Sequence, residues 1–518
     1  MMTSLNLNPL CIPEIVLLIG SYLEWTDLSR CIRVSRIFHD TLVKTIWKKI
    51  TVSGRSSYPT SEALRRYKEY IECLEFHHIF PKEYMTLHGC GRLRQITCNM
   101  DSSVDSSTRN DLSNLIKVHS STITEFRSEC SSLREIWEAL LKCTHLENLA
   151  IHGTDILEDE VDLFFQVCKN IGALDMSEVL IAQLPSDFLD NRSGKFIFPN
   201  ISAVRFFDTQ IVDSPHPHTS SVCLGMLTRR CPRLRSLDHY NSNIKAQPRK
   251  RMNIDFYRTV FLHHPYTLTN LSDLHLTGME IKDKDMAALL RQMTELRWLE
   301  APDCDFGPLS IRELLSNEQE VSDNGRILWK RRDQRLCDTV EGLEFNIYST
   351  KADGVVQAIL SNCPRLKELT GPKITVAEIV DGAEWVCTYL SILNIQLEAA
   401  VDRETSEGMR KQRVVFKQLG RLTRLKHLHL TGGILEVKGF RTLDLKLGAG
   451  LDELVTLKDL HSLSFEGDEH QEIQAEDAAW MVNNWSRLEL VSGVANQDRD
   501  ACTLVNGIFK LRNVILLK

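Results

Sequence analysis

A recurring cysteine constrains this chain more than any other feature. Cys90-Gly-Arg-Leu93, Cys143-Thr-His-Leu146, Cys168-Lys-Asn-Ile171 and Cys231-Pro-Arg-Leu234 share one frame, Cys-x-x-aliphatic. Cys337-Asp-Thr-Val340, Cys363-Pro-Arg-Leu366 and Cys387-Thr-Tyr-Leu390 repeat it. A second aliphatic residue follows each three positions later: Ile96, Leu149, Leu174, Leu237, Leu343, Leu369 and Leu393. Register thus accounts for seven of the 15 cysteines. Free cysteine behaves as a small buried hydrophobe and suits a packed turn between helix and strand. Zinc needs paired ligands such as Cys-x-x-Cys. The sequence contains no such pair, so no metal and no cofactor are expected.

The aliphatic-x-x-aliphatic core extends beyond the cysteines. Its first positions are Ile71, Leu93, Ile123, Leu146, Ile171, Ile201, Leu234, Leu271, Leu296, Val340, Leu366, Leu390, Leu425, Leu460 and Leu488. They span 417 residues in 14 uneven steps, each about 30 residues long and lengthened by inserted loops. Between them lie amphipathic stretches of helical length at 133–142, 159–169, 285–293, 353–362 and 475–484. Met286, Leu289, Leu290 and Met293 fall at helical spacing, whereas Leu274-His-Leu276 and Leu428-His-Leu430 alternate as strands do. Each unit therefore reads helix, tight turn, short strand, loop. One unit cannot bury its apolar face alone. Stacking puts the strands into a parallel sheet on the inside of a curve, with helices outside.

This arrangement resembles the leucine-rich-repeat family, in particular its cysteine-containing class. The resemblance implies an α/β horseshoe-shaped solenoid over residues 71–518, in about 15 units. Units near Ile123, Ile201 and Leu488 are degenerate, and an irregular curve is expected there. With 43 % apolar and 25 % charged residues, the chain is neither disordered nor fibrous. The apolar run at 15–19 is far short of the roughly 20 residues that span a membrane. A net charge of −7 gives no basic field, so neither membrane nor nucleic acid is an expected partner. An intracellular, reduced, soluble protein is expected.

Residues 8–50 depart from the repeat, and 51–70 read as a connecting helix. Pro13 opens a first helix. Thr26 is placed to cap a second and Ser35 a third. In the first, Ile15, Val16, Leu17, Leu18 and Ile19 leave almost no polar face, and such a helix must be covered all round. About 40 residues are too few to do that alone. The cover is either the first repeat, with the helices as a terminal cap, or an external partner.

The residues themselves resemble an F-box. Ile12-Pro13-Glu14-Ile15 opens it, with Ile19 and Leu23 at helical spacing. Asp27-Leu28, Cys31, Val34-Ser35-Arg36, Phe38 and Leu42 continue it, and Trp47 closes it. It departs at Ile12, where Leu is usual, and at Phe38, where Trp is common. An F-box followed by leucine-rich repeats implies the substrate receptor of a Skp–cullin–F-box ubiquitin ligase, cytoplasmic or nuclear and without chemistry of its own. The resemblance implies adaptor contacts, and through the adaptor a cullin scaffold. The residues expected to make them are Ile12, Pro13, Glu14, Ile15, Leu18, Ile19, Leu23, Leu28, Cys31 and Val34. A leucine-rich-repeat scaffold without a ligase is the alternative. A regulator of another enzyme would not need the first helix.

In Leu-x-x-Leu-x-Leu, the residues flanking the middle position point away from the core. Those positions carry Glu75, Glu125, Asp175, Asp238, Asp273, Glu300, Glu344 and Glu368, against only Arg127 and Arg205. His275, His427, His429 and Trp298 stand among them. Such a surface favours a protein substrate with a basic segment, centred on Asp238, Asp273, Trp298 and Glu300. The plainer reading is that these acids keep an exposed sheet soluble. His77-His78, His216-Pro-His218 and His263-His264 read as loop histidines, and Pro248-Arg-Lys-Arg251 and Lys330-Arg-Arg332 as solvated loops. The long steps from Leu234 to Leu271 and from Leu296 to Val340 are candidate recognition insertions. The six acids in 466–477 read as a solvated loop.

Overall fold

A computed structural model describes residues 9–54, 58–100, 106–185, 187–188, 196–240, 254–263, 268–323, 326–347, 354–402, 405–431 and 440–517. They form two compact units, Met1–Arg233 and Leu234–Lys518.

In the first unit, three helices precede the sheet: α1 (Pro13–Gly20), α2 (Trp25–Cys31) and α3 (Arg36–Lys48). Seven parallel strands follow in chain order: β1 (Lys49–Ser53), β2 (Cys73–His77), β3 (Gln95–Asn99), β4 (Glu125–Glu129), β5 (Asn148–His152), β6 (Ala173–Ser177) and β7 (Ala203–Phe207). Their middle residues stand opposite one another: Ile50, Leu74, Ile96, Phe126, Leu149, Leu174 and Val204, all buried.

The second unit holds ten such strands: β8 (Ser236–Tyr240), β9 (Asp273–Leu276) and β10 (Trp298–Ala301) precede an antiparallel hairpin of β11 (Glu318–Asp323) and β12 (Arg326–Arg331). The sheet resumes with β13 (Gly342–Phe345), β14 (Glu368–Thr375), β15 (Ile392–Glu398), β16 (His427–His429), β17 (Ser462–Ser464), β18 (Leu490–Ser492) and β19 (Ile515–Leu517). Its ladder runs Leu237, Leu274, Leu299, Leu343, Leu369, Leu393, Leu428, Leu463, Val491, Leu516.

This is the leucine-rich-repeat architecture in the frame read from the sequence. All 15 first aliphatic positions, Ile71 through Leu488, are buried. At roughly 1.5–3 kcal/mol per fully buried large side chain, this double ladder is the main apolar driving force. The pairing continues through Phe126, Val204 and Val491, where the sequence pattern is weakest. Helices fall where periodicity placed them, at Arg134–Leu140, Val161–Cys168, Asp283–Gln292, Val355–Asn362 and Ala475–Asn484. The seven framed cysteines are buried. Burial pushes the Cys90 and Cys337 thiols to about 11 and those of Cys143, Cys231 and Cys387 to about 12. Cys168 and Cys363 are raised well above the ordinary thiol value. Among the described residues no helix is long and apolar enough to cross a membrane.

Four expectations change. The sheet begins at Lys49, not at 71, so β1 straddles the stretches assigned to the F-box and the connector, and only Ser61–Tyr67 of that connector is α-helical. Thr26 does not cap α2; it lies inside the helix, where its carbonyl accepts from Ser29. Ser35 does cap α3, accepting from the Phe38 N–H at 3.2 Å. The acidic 466–477 stretch is only in part a solvated loop, with Glu469, Glu472 and Glu476 exposed. Asp468 and Asp477 are buried and accept backbone N–H groups of Thr442, Leu447 and Gln474.

Candidate functional site

Two surfaces carry the residues singled out by the sequence. The first is built by α1 to α3. Val16, Leu28 and Leu42 form the small core of this bundle, with Leu23, Cys31, Ile32, Phe38 and Ile46 packed around it. Gly20 permits the close approach, since a Cβ there would meet Leu42 at 2.5 Å. The bundle is anchored through α3. Trp47 stacks on Tyr67 with ring centroids 4.7 Å apart, and the Lys44 ammonium lies over the Tyr70 ring.

This core consumes part of the expected adaptor set. Leu28 is buried, and Leu23 and Cys31 face inward beside it, because α2 is only seven residues long and needs them to hold Val16 and Leu42. Ile12 and Ile15 are half-buried. Pro13, Glu14, Leu18, Ile19 and Val34 are exposed. Leu17, Tyr22, Trp25 and Ile37, outside the expected set, are exposed as well. Leu18 is 59 %, Val34 70 % and Tyr22 82 % exposed. Leu17 to Ile19 are consecutive, so they spread over about 200° of α1, at roughly 100° per residue. Among the described residues, the expected all-round cover is therefore supplied only on the Val16 side. Beside this surface, Trp25, Ile32, Ile46, Trp47, Ile50 and Pro59 line an open cavity of about 700 Å³.

The second surface is the row of strand residues flanking the ladder in Leu234–Lys518. One row runs Ser236, Asp273, Trp298, Gly342, Glu368 and Ile392. The next runs Asp238, His275, Glu300, Glu344, Thr370 and Asn394. All four expected substrate residues thus lie on three adjacent strands. Trp298 lies across Gly342: a Cβ at that glycine would come within 2.5–2.6 Å of three indole carbons. The ring is laid flat on the sheet only because the neighbouring strand carries no side chain there. Sequence reasoning missed Gly342, although a glycine at a flanking position is itself the signal.

The electrostatics follow from the register. His275 Nδ1 and Glu300 Oε2 are 2.7 Å apart. That contact, with Asp238 and Asp273 nearby, raises the His275 pKa above the ordinary imidazole value; His275 in turn lowers that of Glu300. Glu344 is raised, first by burial, then by the like charges of Glu300 and Glu368. Among the described residues, no cationic side chain lies within ion-pair distance of Glu344 or Glu368.

The corresponding row of Met1–Arg233 is neutralised. Lys49 pairs with Glu75 at 2.8 Å, Arg205 with Asp175 at 3.3 Å, and Arg127 with Glu125. Lys49 was absent from the sequence frame because β1 was. Of the basic clusters, 248–251 lies outside the described residues. Lys330-Arg-Arg332 divides, with Lys330 and Arg331 exposed and Arg332 buried.

No family model matches this sequence, and no curated protein does. Among solved structures, a leucine-rich-repeat protein of Leptospira interrogans is 13 % identical, with a TM-score of 0.47 over 89 % of this chain and 99 % of that one. Rad7, from its complex with Elc1 in yeast, is 12 % identical with a TM-score of 0.33 over 97 % and 96 %. An internalin of Listeria monocytogenes is 13 % identical with a TM-score of 0.30 over 95 % and 94 %. The fold assignment rests on the leucine ladder itself.

Proposed function

We propose that this chain is the substrate-recognition subunit of a Skp–cullin–F-box ubiquitin ligase, working in the cytoplasm or nucleus. The observation that carries the reading is the apolar surface of Leu17, Leu18, Ile19, Tyr22 and Val34 on a three-helix bundle that begins Ile12-Pro13-Glu14. Leaving such side chains in water forfeits roughly 1.5–3 kcal/mol each relative to burial, and an adaptor recovers it. The chain's part is proximity: docked at one end, it holds a substrate near the ubiquitin-charged enzyme and raises its effective concentration. The acidic rows of the second unit, with Trp298 as a flat apolar anchor, suit a substrate segment rich in lysine or arginine.

Co-purification tests the docking. A Skp-type adaptor is expected to accompany the wild type and to be lost from Leu18→Asp/Val34→Asp, while the melting transition stays put because both side chains are exposed. Undiminished adaptor recovery contradicts the reading. A leucine-rich-repeat scaffold without a ligase is the second reading. It draws support from the Trp47–Tyr67 stack, which ties the bundle to the segment leading into β2, as a cap on the repeats would be tied.

A further inference from the structure

The 44-residue step between Leu296 and Val340 holds the β11–β12 hairpin. β11 is fastened to the body. Gln319 is buried, and Glu320 receives Arg291 at 3.0 Å. Just beyond β12, Arg332 donates to the backbone carbonyls of Leu290, Glu313 and Ser316. β12 differs in kind. All six of its residues are exposed, with Ile327 at 59 % and Trp329 at 57 %. Among the described residues it pairs with β11 alone, so its outer edge offers unpaired backbone groups to an incoming strand.

Charge decides which strand. Arg326, Lys330 and Arg331 lie on β12; the register sets Asp323 and Glu318 of β11 opposite Arg326 and Arg331, yet among the described residues none of the three cations has a carboxylate within ion-pair distance. Opposite charges across a strand pair stabilise it and like charges destabilise it. A second copy's β12 would set three cations against three and is disfavoured. An acidic strand is favoured, its apolar residues meeting Ile327, Leu328 and Trp329.

We infer that the outer edge of β12 is a docking site for an extended segment of a partner protein, about six residues long, with acidic residues opposite Arg326, Lys330 and Arg331 and aliphatic or aromatic residues opposite Ile327, Leu328 and Trp329. Main-chain hydrogen bonds supply the affinity and the three cations the selection. This site is separate from the acidic rows, which select the opposite charge.

The test uses the full chain and a fluorescent decapeptide whose central six residues are Asp-Asp-Val-Val-Val-Asp, the antiparallel complement of β12. The expected result is saturable binding, weakened at least tenfold in Arg326→Gln/Lys330→Gln/Arg331→Gln. Methylating the peptide's backbone nitrogens at one alternate set of positions is expected to abolish binding, and at the other to leave it. The same decapeptide with serine in place of each aspartate is expected to bind at least tenfold more weakly. The three side chains are exposed, so the variant's urea midpoint is expected to match the wild type's and to show that its fold is intact. The inference is overturned by no saturable binding, by binding that the triple variant leaves unchanged, by equal tolerance of methylation at both sets, by tighter binding of a ten-nucleotide single-stranded DNA that the variant loses, or by self-association that the variant abolishes.

Discussion

The strand rows of the two units share a leucine ladder and differ in how their acids are held. In Met1–Arg233, Glu75, Glu125 and Asp175 each have a basic partner on the same face: Lys49, Arg127 and Arg205. In Leu234–Lys518, Asp273, Glu300, Glu344 and Glu368 share the face with His275, His427 and His429, and among the described residues no lysine or arginine lies within ion-pair distance of these four acids. Counting charges along the sequence made both faces acidic. Pairing shows that the first unit spends its acids internally; in the second, the charges of Glu300 and Glu368 add to the burial that raises Glu344. Solubility explains the first arrangement. Recognition is the account we propose for the second, since self-repulsion is a cost that a solubilising surface has no need to bear.

Charge reversal breaks the comparison most sharply. Asp273→Lys/Glu300→Lys/Glu344→Lys is expected to weaken a lysine-rich peptide by about ten- to a hundredfold in a titration, as charge losses across an interface do. Glu75→Lys/Asp175→Lys, in the first unit, is expected to leave that titration within about threefold and to cost stability of about 1 kcal/mol or less per exposed pair. Equal effects of the two variants would mean that the faces do not differ in function.

Gly342→Ala tests the aromatic anchor. The added methyl displaces the Trp298 ring, and overpacking of this kind costs about 1–3 kcal/mol. Binding of the lysine-rich peptide is expected to fall, and Trp298 fluorescence to shift in a background lacking the other tryptophans. An unmoved emission spectrum would show that the ring does not rest on Gly342.

A smaller effect is expected from pH. The His275 pKa is raised, so its pair with Glu300 contributes stability that is complete below 6.5 and fades as pH climbs through the raised value. Its size is under about 1 kcal/mol, as both groups are partly exposed. Peptide affinity runs the other way: loss of the imidazolium leaves the rows more negative, so binding is expected to tighten severalfold over the same window. His275→Gln is expected to flatten both trends.

The smallest change is expected at the framed cysteines. Thiol labelling of Cys90, Cys143, Cys168, Cys231, Cys337, Cys363 and Cys387 is expected to be slow in the native state in both units and fast after unfolding, because burial disfavours the thiolate at each. Rapid native labelling of the cysteines in one unit alone would show that the two ladders differ in stability.

The ladder was legible because its spacing is a packing constraint that every unit must meet. Its two ends were not. β1 has the spacing, but Trp47 stands in its first position and also lies in the last turn of α3, while β19 has Asn513 there. The residues proposed to meet an adaptor were read as a motif. Their division into core and surface was not, because helices of seven and eight residues turn their faces according to what they pack on. The acidic 466–477 stretch misled because carboxylates that satisfy backbone N–H groups look, in sequence, like carboxylates that meet water. The hairpin was located only as an insertion: Ile327-Leu328-Trp329 is a contiguous apolar run and shows no alternation.

The account's central claim is a division of labour, with the adaptor on α1 to α3 and the substrate on β8 to β14. One quantitative capture from cell extract tests it directly, with the wild type, Leu18→Asp/Val34→Asp and Asp273→Lys/Glu300→Lys/Glu344→Lys compared side by side. The predicted result is that the helix variant loses a Skp-type adaptor and keeps its other partners, while the strand variant keeps the adaptor and loses partners bearing lysine- or arginine-rich segments. Loss of both classes together from either well-folded variant, or of neither, would contradict it.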